Sequence, residues 1–247
     1  FNFMASQEAT PKLTGNPFTA VDDKPRVLLR PTGDKSRQRL TIEQFWEIHK
    51  AAGEQDHFFL QIAMEISLYT TLRRGDIAHL KFDTNIEDGY LCKTVSKAKE
   101  SGRVVNLRWK LSEHPLLAKS IRRARSLSLV HFRCPYILSR EPQKRTKSEV
   151  KTHYNQVLPH FLTQTFREVR ESTGLFKDLD SCEQPSFHEI RSLSSHLFDE
   201  LGYESDEVQV VMAHTDKEMT EYYQGGHKTK WTDIHLVMSD KAVGAGR

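Results

Sequence analysis

Apolar positions recur with helical spacing from about Leu40 onward, and before that point they do not. Residues 1–37 mix Pro, Gly, Asn, Thr and Asp with little periodicity, which reads as a leader or linker rather than a core element. The chain opens on Phe1 rather than Met, so this stretch is expected to follow a domain further upstream. Thr41-Ile-Glu-Gln44 has the form of a capping box, and Phe45, Ile48 and His49 carry the helical spacing on. A second helix is expected from about His57 to Tyr69, with Phe59, Ile62, Ala63, Ile66 and Tyr69 on one face. TLRRGDIAHL then reads as a turn and a short helix. GYLCKTVSKAKESGRVVNLRW reads as two strands joined by a loop that holds Gly102.

Further along, a basic helix is expected from Pro115 to Leu129, carrying Leu117, Ile121 and Leu127. A longer one should run from about Ser148 to Ser172 and end at Gly174, a suitable C′ residue. Ser186-Phe-His-Glu189 and Thr215-Asp-Lys-Glu218 are both capping-box starts, and Ser205 is placed to cap a helix through Val208, Val211 and Met212. Helices with one small sheet, and no strand–helix alternation, exclude a doubly wound α/β fold. The expected class is α+β, mainly helical with a small antiparallel β-sheet.

Composition narrows the setting. The chain has 247 residues, 37% of them hydrophobic and 28% charged, enough for a folded core. No stretch approaches the length of apolar sequence that a membrane span needs. Three scattered cysteines (Cys92, Cys134, Cys182) fit neither a disulfide framework nor a CxxC metal knuckle, so a cytoplasmic setting is expected. The net charge of +3 is mild, but its distribution is not. Ten Lys/Arg face two acids between Lys119 and Lys151, and fourteen acids face four bases between Glu168 and Glu221. The basic segment is either a solvated helix face or a phosphate-facing surface.

Four places carry candidate chemistry. On the helix opened by Ser186, His188 would fall at N2 and Arg191 at N5, on one face of a helix end that already favours anions. HEIRS lacks the second His of a zinc-protease motif. Thr71-Leu-Arg-Arg-Gly-Asp76 puts two arginines at a turn, with Asp76 placed to brace one of them. Lys97 and Lys99 sit on the strand-to-strand loop, where a lysine could protonate a leaving oxygen. His214 precedes the Thr215 cap, and Tyr222 and Tyr223 follow two turns on; a tyrosine becomes a nucleophile when cations stabilise its phenolate.

In this order and spacing, the set resembles the catalytic domain of the tyrosine site-specific recombinases, nearest to the lambda-type phage integrases. TTLRRGDI matches the family's first arginine motif at Arg73, because the Gly-Asp spacing fits Arg73 and not Arg74. The hairpin lysine falls at Lys97, with Lys99 as the alternative since the hairpin SKAKESGRVV is about one residue longer than the family pattern. HEIR supplies His188 and Arg191, and MAHTDKEMTEYY supplies His214 and, nine residues on, Tyr223. Two positions depart from the pattern: Thr71 and Ala213 stand where the family has glycine.

The resemblance covers roughly residues 38–238. It implies metal- and cofactor-free cutting and rejoining of double-stranded DNA through a 3′-phosphotyrosyl link. Arg73 and Arg191 would be the phosphate clamp, His188 an acid/base, His214 a phosphate donor, Lys97 the general acid and Tyr223 the nucleophile. It further implies a homotetramer on DNA, accessory DNA-bending proteins as partners, a bacterial nucleoid location and no membrane. Residues 1–37 would link to an upstream core-binding domain, and 38–247 would be the catalytic domain with a tail from about 225. The basic segment becomes a candidate DNA-backbone surface, with Arg122, Arg123, Arg125, Lys144, Arg145 and Lys147 as its contacts. In the tail, Trp231, Ile234, Leu236 and Met238 would dock either on an adjacent subunit or as a strand on their own chain. A type IB topoisomerase, a Xer-like resolvase and a DNA-binding module without catalysis are the competing readings.

Overall fold

The computed structural model describes residues 37–96, 104–142, 151–212 and 231–244. Helix α1 (Ile42–Glu54) begins with the expected box: Thr41 Oγ1 accepts from the Gln44 amide at 3.3 Å, and Gln44 Oε1 accepts from the Thr41 amide at 3.1 Å. Helix α2 (Phe58–Thr70) is the central element, and every residue of it except Phe58 and Glu65 is buried. The spacing suggested one apolar face; instead α1, α4, α5 and α6 pack around α2, so it is covered on all sides. Helix α4 (Pro115–Leu127) turns into a π-helical turn over Ser128–Phe132, two residues before the expected end at Leu129.

Four strands, β1 (Ile86–Glu87), β2 (Tyr90–Ser96), β3 (Val104–Lys110) and β4 (Thr232–Ile234), form one sheet in that order. β1, β2 and β3 pair antiparallel, but β4 runs parallel to β3, so the sheet is mixed rather than antiparallel. β4 comes from the tail, which docks on its own chain: Ile234, Leu236 and Met238 are buried there. Beyond it, helix α8 (Asp240–Val243) is pinned where Trp46 Nε1 donates to the Val243 carbonyl. The intramolecular option is the one taken.

Three helix starts differ from the sequence reading, each for a local reason. Helix α5 spans Pro159–Ser172, beginning well after Ser148; Pro159 at N1 sets φ for the first turn and lacks only an amide that would be unpaired anyway. Its end is as expected, with Gly174 in the left-handed region at φ 69°. Helix α6 (Glu189–Glu200) has His188 as its N-cap and no side-chain cap, because Glu189 turns away to Arg39 instead of closing a box with Ser186. His188 and Arg191 therefore stand at N-cap and N3, not N2 and N5, though still three residues apart. Helix α7 (Ser205–Val211) is capped by Glu204 and Glu207, one residue earlier than Ser205. The Thr215 helix lies outside the described residues. Among those described, no helix is long and apolar enough to cross a membrane.

Candidate active site

The α2–α3 turn, with α3 spanning Arg74–Ala78, supplies the first arginine. α2 ends at Thr71, which adopts φ 55°, a left-handed conformation that costs a β-branched residue of order 1 kcal/mol. That is the position where the resemblance expected glycine. Thr71 offsets the cost by donating its buried hydroxyl to the Val211 carbonyl at 3.1 Å. The turn leaves Arg73 as the N-cap of α3, half-buried, with a side chain that makes no hydrogen bond or ion pair among the described residues. Arg74 lies beside it with its guanidinium held on Thr163 of α5.

Helix α6 supplies the second. Arg191 is buried, and its guanidinium donates to the Thr71 carbonyl at 2.6 Å and also to the Met212 carbonyl. One side chain thus ties three places together: the turn before Arg73, the helix after His188, and the end of α7 that leads towards His214. Ser194 adds a bond from α6 to the Leu68 carbonyl at 2.5 Å. The approach to His188 is fixed from α5, where buried Arg170 donates to the Pro185 carbonyl and to Gln184 Oε1, both at 2.5 Å. In front of α1, Arg39 reaches Glu189 at 3.0 Å and Ser192 Oγ at 2.8 Å.

Arg73, Arg74, Asp76, His188 and Arg191 line one cleft of about 530 Å³. Its electrostatics are dominated by its clustered guanidiniums. Burial and the nearby Arg73 charge push Arg191 down to about 10, so it stays charged at neutral pH. His188 is exposed at the cleft, yet partial desolvation, and then repulsion from Arg191, Arg73 and Arg74, hold it below its ordinary 6.5. A neutral imidazole beside two guanidiniums can accept a proton while they hold an oxyanion.

Asp76 was expected to brace an arginine. Its carboxylate instead pairs with Lys93 of β2, whose ammonium lies 3.6 Å from Oδ1. The sequence reading passed over Lys93. The available signal was a lysine between Leu91 and Val95, on the strand face those two bury. Lys97, Lys99, His214, Tyr222 and Tyr223 lie outside the described residues.

Of the expected DNA contacts, Arg122 and Arg125 are exposed on α4, with Arg125 stacked over the Phe82 ring at 5.0 Å. Arg123 faces inward: it meets Glu65 at 3.3 Å and donates to Gln61 Oε1, so bracing α2 is its first task. Lys144, Arg145 and Lys147 lie outside the described residues.

The fold is that of a tyrosine-recombinase catalytic domain. Residues 38–229 match the phage integrase family, and the chain belongs to that family. It is 29% identical over 213 residues to the prophage integrase IntE of Escherichia coli K12, covering 84% of this chain and 51% of that protein. The chain spans about half the length of the curated relatives it matches. Its fold is similar to the lambda integrase catalytic core, with a TM-score of 0.57 at 22% identity over 80% of this chain and 99% of that one. It is also similar to a lambda integrase tetramer bound to a Holliday junction, with a TM-score of 0.56 at 22% identity over 78% and 50% of the two chains.

Proposed function

We propose that this chain performs site-specific recombination, cutting and rejoining double-stranded DNA through a 3′-phosphotyrosyl intermediate. The observation that carries the reading is the pairing of two arginines in one cleft, Arg191 anchored by backbone carbonyls and Arg73 with no side-chain hydrogen bond or ion pair among the described residues. Phosphoryl transfer builds charge on the non-bridging oxygens, and guanidiniums fixed in advance stabilise it without reorganising. Tyr223 attacks phosphorus, its O–P bond forming as the bond to the 5′-oxygen breaks. His188 takes the phenolic proton, Lys97 (or Lys99) protonates the departing 5′-oxygen, and His214 donates to a phosphate oxygen. The ester conserves the bond energy, so a new 5′-hydroxyl reseals the strand by the reverse path.

DNA-backbone contacts are assigned to Arg122, Arg125, Lys144, Arg145 and Lys147, with Arg123 contributing from its braced position. A homotetramer on DNA is the proposed assembly, by analogy with the Holliday-junction complex of lambda integrase. Accessory DNA-bending proteins, a nucleoid location and a role for residues 1–37 as the linker from a core-binding domain belong to the same reading. The test is a labelled, nicked duplex bearing a candidate site, run on a denaturing gel. An adduct with the wild-type chain and with Tyr222→Phe, lost in Tyr223→Phe, is expected. Loss in Tyr222→Phe alone would move the nucleophile by one residue. Strand exchange between two duplexes, rather than relaxation of one, separates a recombinase from a topoisomerase.

A further inference from the structure

We infer that Lys93 is a positioning residue of this cleft: it holds the Asp76 carboxylate off Arg73 and Arg191 and cancels its charge, leaving both guanidiniums for phosphate. The inference rests on the phosphate-binding reading of the cleft. Lys93 lies on β2 between Leu91 and Val95, both buried, so its stem follows the covered side of the sheet. An ammonium on that side is costly unless a charge answers it. Asp76 does so at 3.6 Å, with 14% of the lysine side chain and 20% of the aspartate side chain exposed. The pair joins β2, the strand that leads to Lys97 in the sequence, to the first turn of α3 behind Arg73.

Asp76 is otherwise badly placed for an anion site. It lines the same cleft as Arg73, Arg74, His188 and Arg191, and its charge is felt at Arg191. Among the described residues it makes no ion pair with any of those arginines. An unanswered carboxylate there would repel a phosphate and compete with it for Arg73, whose side chain has no ion pair among the described residues. Lys93 removes both problems without entering the cleft itself; it is not among the residues that line it.

The test compares the full chain with Lys93→Met, Lys93→Arg, Asp76→Asn and the Lys93→Met/Asp76→Asn pair. Three readouts are taken: inorganic phosphate affinity from the His188 ring signal by NMR, the adduct rate at saturating nicked DNA, and thermal unfolding. Lys93→Met should weaken phosphate binding and slow adduct formation by about tenfold, the size of one mis-set charged contact, with DNA affinity little changed. Lys93→Arg should restore most of both. In the Asp76→Asn background, Lys93→Met should have no further effect on phosphate affinity, because there is no charge left to cancel. Unaltered phosphate binding in Lys93→Met, or an undiminished effect in the Asp76→Asn background, would reduce Lys93 to a structural staple and overturn the inference. A wild-type chain that binds no phosphate overturns it too. A chain that binds phosphate with this Lys93 dependence, yet forms no adduct on any DNA, supports the inference while removing the recombinase reading.

Discussion

Arg191 donates to the carbonyl oxygen of Thr71 across 2.6 Å, from helix α6 to the left-handed residue that ends α2. The bond makes one catalytic candidate the fastener of the turn that presents the other. Arg191 also holds the Met212 carbonyl, so the same guanidinium sets the exit of α7. Its burial is what makes it rigid, and rigidity is what an oxyanion clamp needs.

The two arginines should therefore fail differently. Arg191→Lys can satisfy one carbonyl but not both in the planar geometry, and should lower unfolding free energy by about 3 kcal/mol as well as abolish the adduct. Arg73→Ala should abolish the adduct with stability almost unchanged, since its side chain has no protein partner among the described residues. Urea unfolding beside the adduct assay checks the pair. Equal destabilisation by both would mean that Arg73 is built into the fold rather than held ready for a ligand.

His188 offers a pH test. Partial burial first, and the charges of Arg191, Arg73 and Arg74 after it, keep its pKa below 6.5. A lowered basic group sheds its proton early, so the acid limb of cleavage should begin below pH 6.5 rather than at it. Stability follows the same sign: unfolding takes up a proton as the pH falls from 6.5 towards the folded value, which destabilises the fold across that window. Arg73→Ala removes one repelling charge, and the His188 pKa read by NMR should rise. A fall, or no movement, would place Arg73 too far away to share a phosphate with His188.

Local signals carried the sequence reading a long way. Thr41 and Gln44 announced α1, and Gly174 announced the end of α5. What stayed hidden is what depends on distant partners. Ser186 and Glu189 have the form of a capping box, but Arg39, 150 positions earlier, claims the glutamate and shifts the helix start. The α2 spacing marks one apolar face, and only the packing of four other helices reveals that the remaining faces are covered too. The parallel pairing of Leu107 with Thr232 could not be read from either strand alone, because the tail had two surfaces it could join. Lys93 was legible in principle as a charge on the buried side of a strand, yet its partner Asp76 belongs to another element.

Glu65 provides a test of the scaffold away from the cleft. On α2, its carboxylate accepts from His49 of α1 at 2.8 Å and from Ser120 of α4 at 2.5 Å, with Arg123 at 3.3 Å. Burial pushes its pKa up, but the His49 and Ser120 hydrogen bonds, with the His49 and Arg123 charges, outweigh that and leave it below 4.5. A carboxyl lowered in the folded state adds stability above its unfolded pKa and loses it as the pH falls through the folded one. Glu65→Gln keeps the shape but sets an amide donor against neighbours that are themselves donors. It should cost about 2–3 kcal/mol at neutral pH. The gap from wild type should then narrow as the pH drops well below 4.5, because the wild-type carboxyl protonates and forfeits the same interactions. Urea unfolding of both chains at neutral and acid pH decides it: a gap that ignores pH would mean that Glu65 acts by shape alone and that its charge does not hold α1, α2 and α4 together.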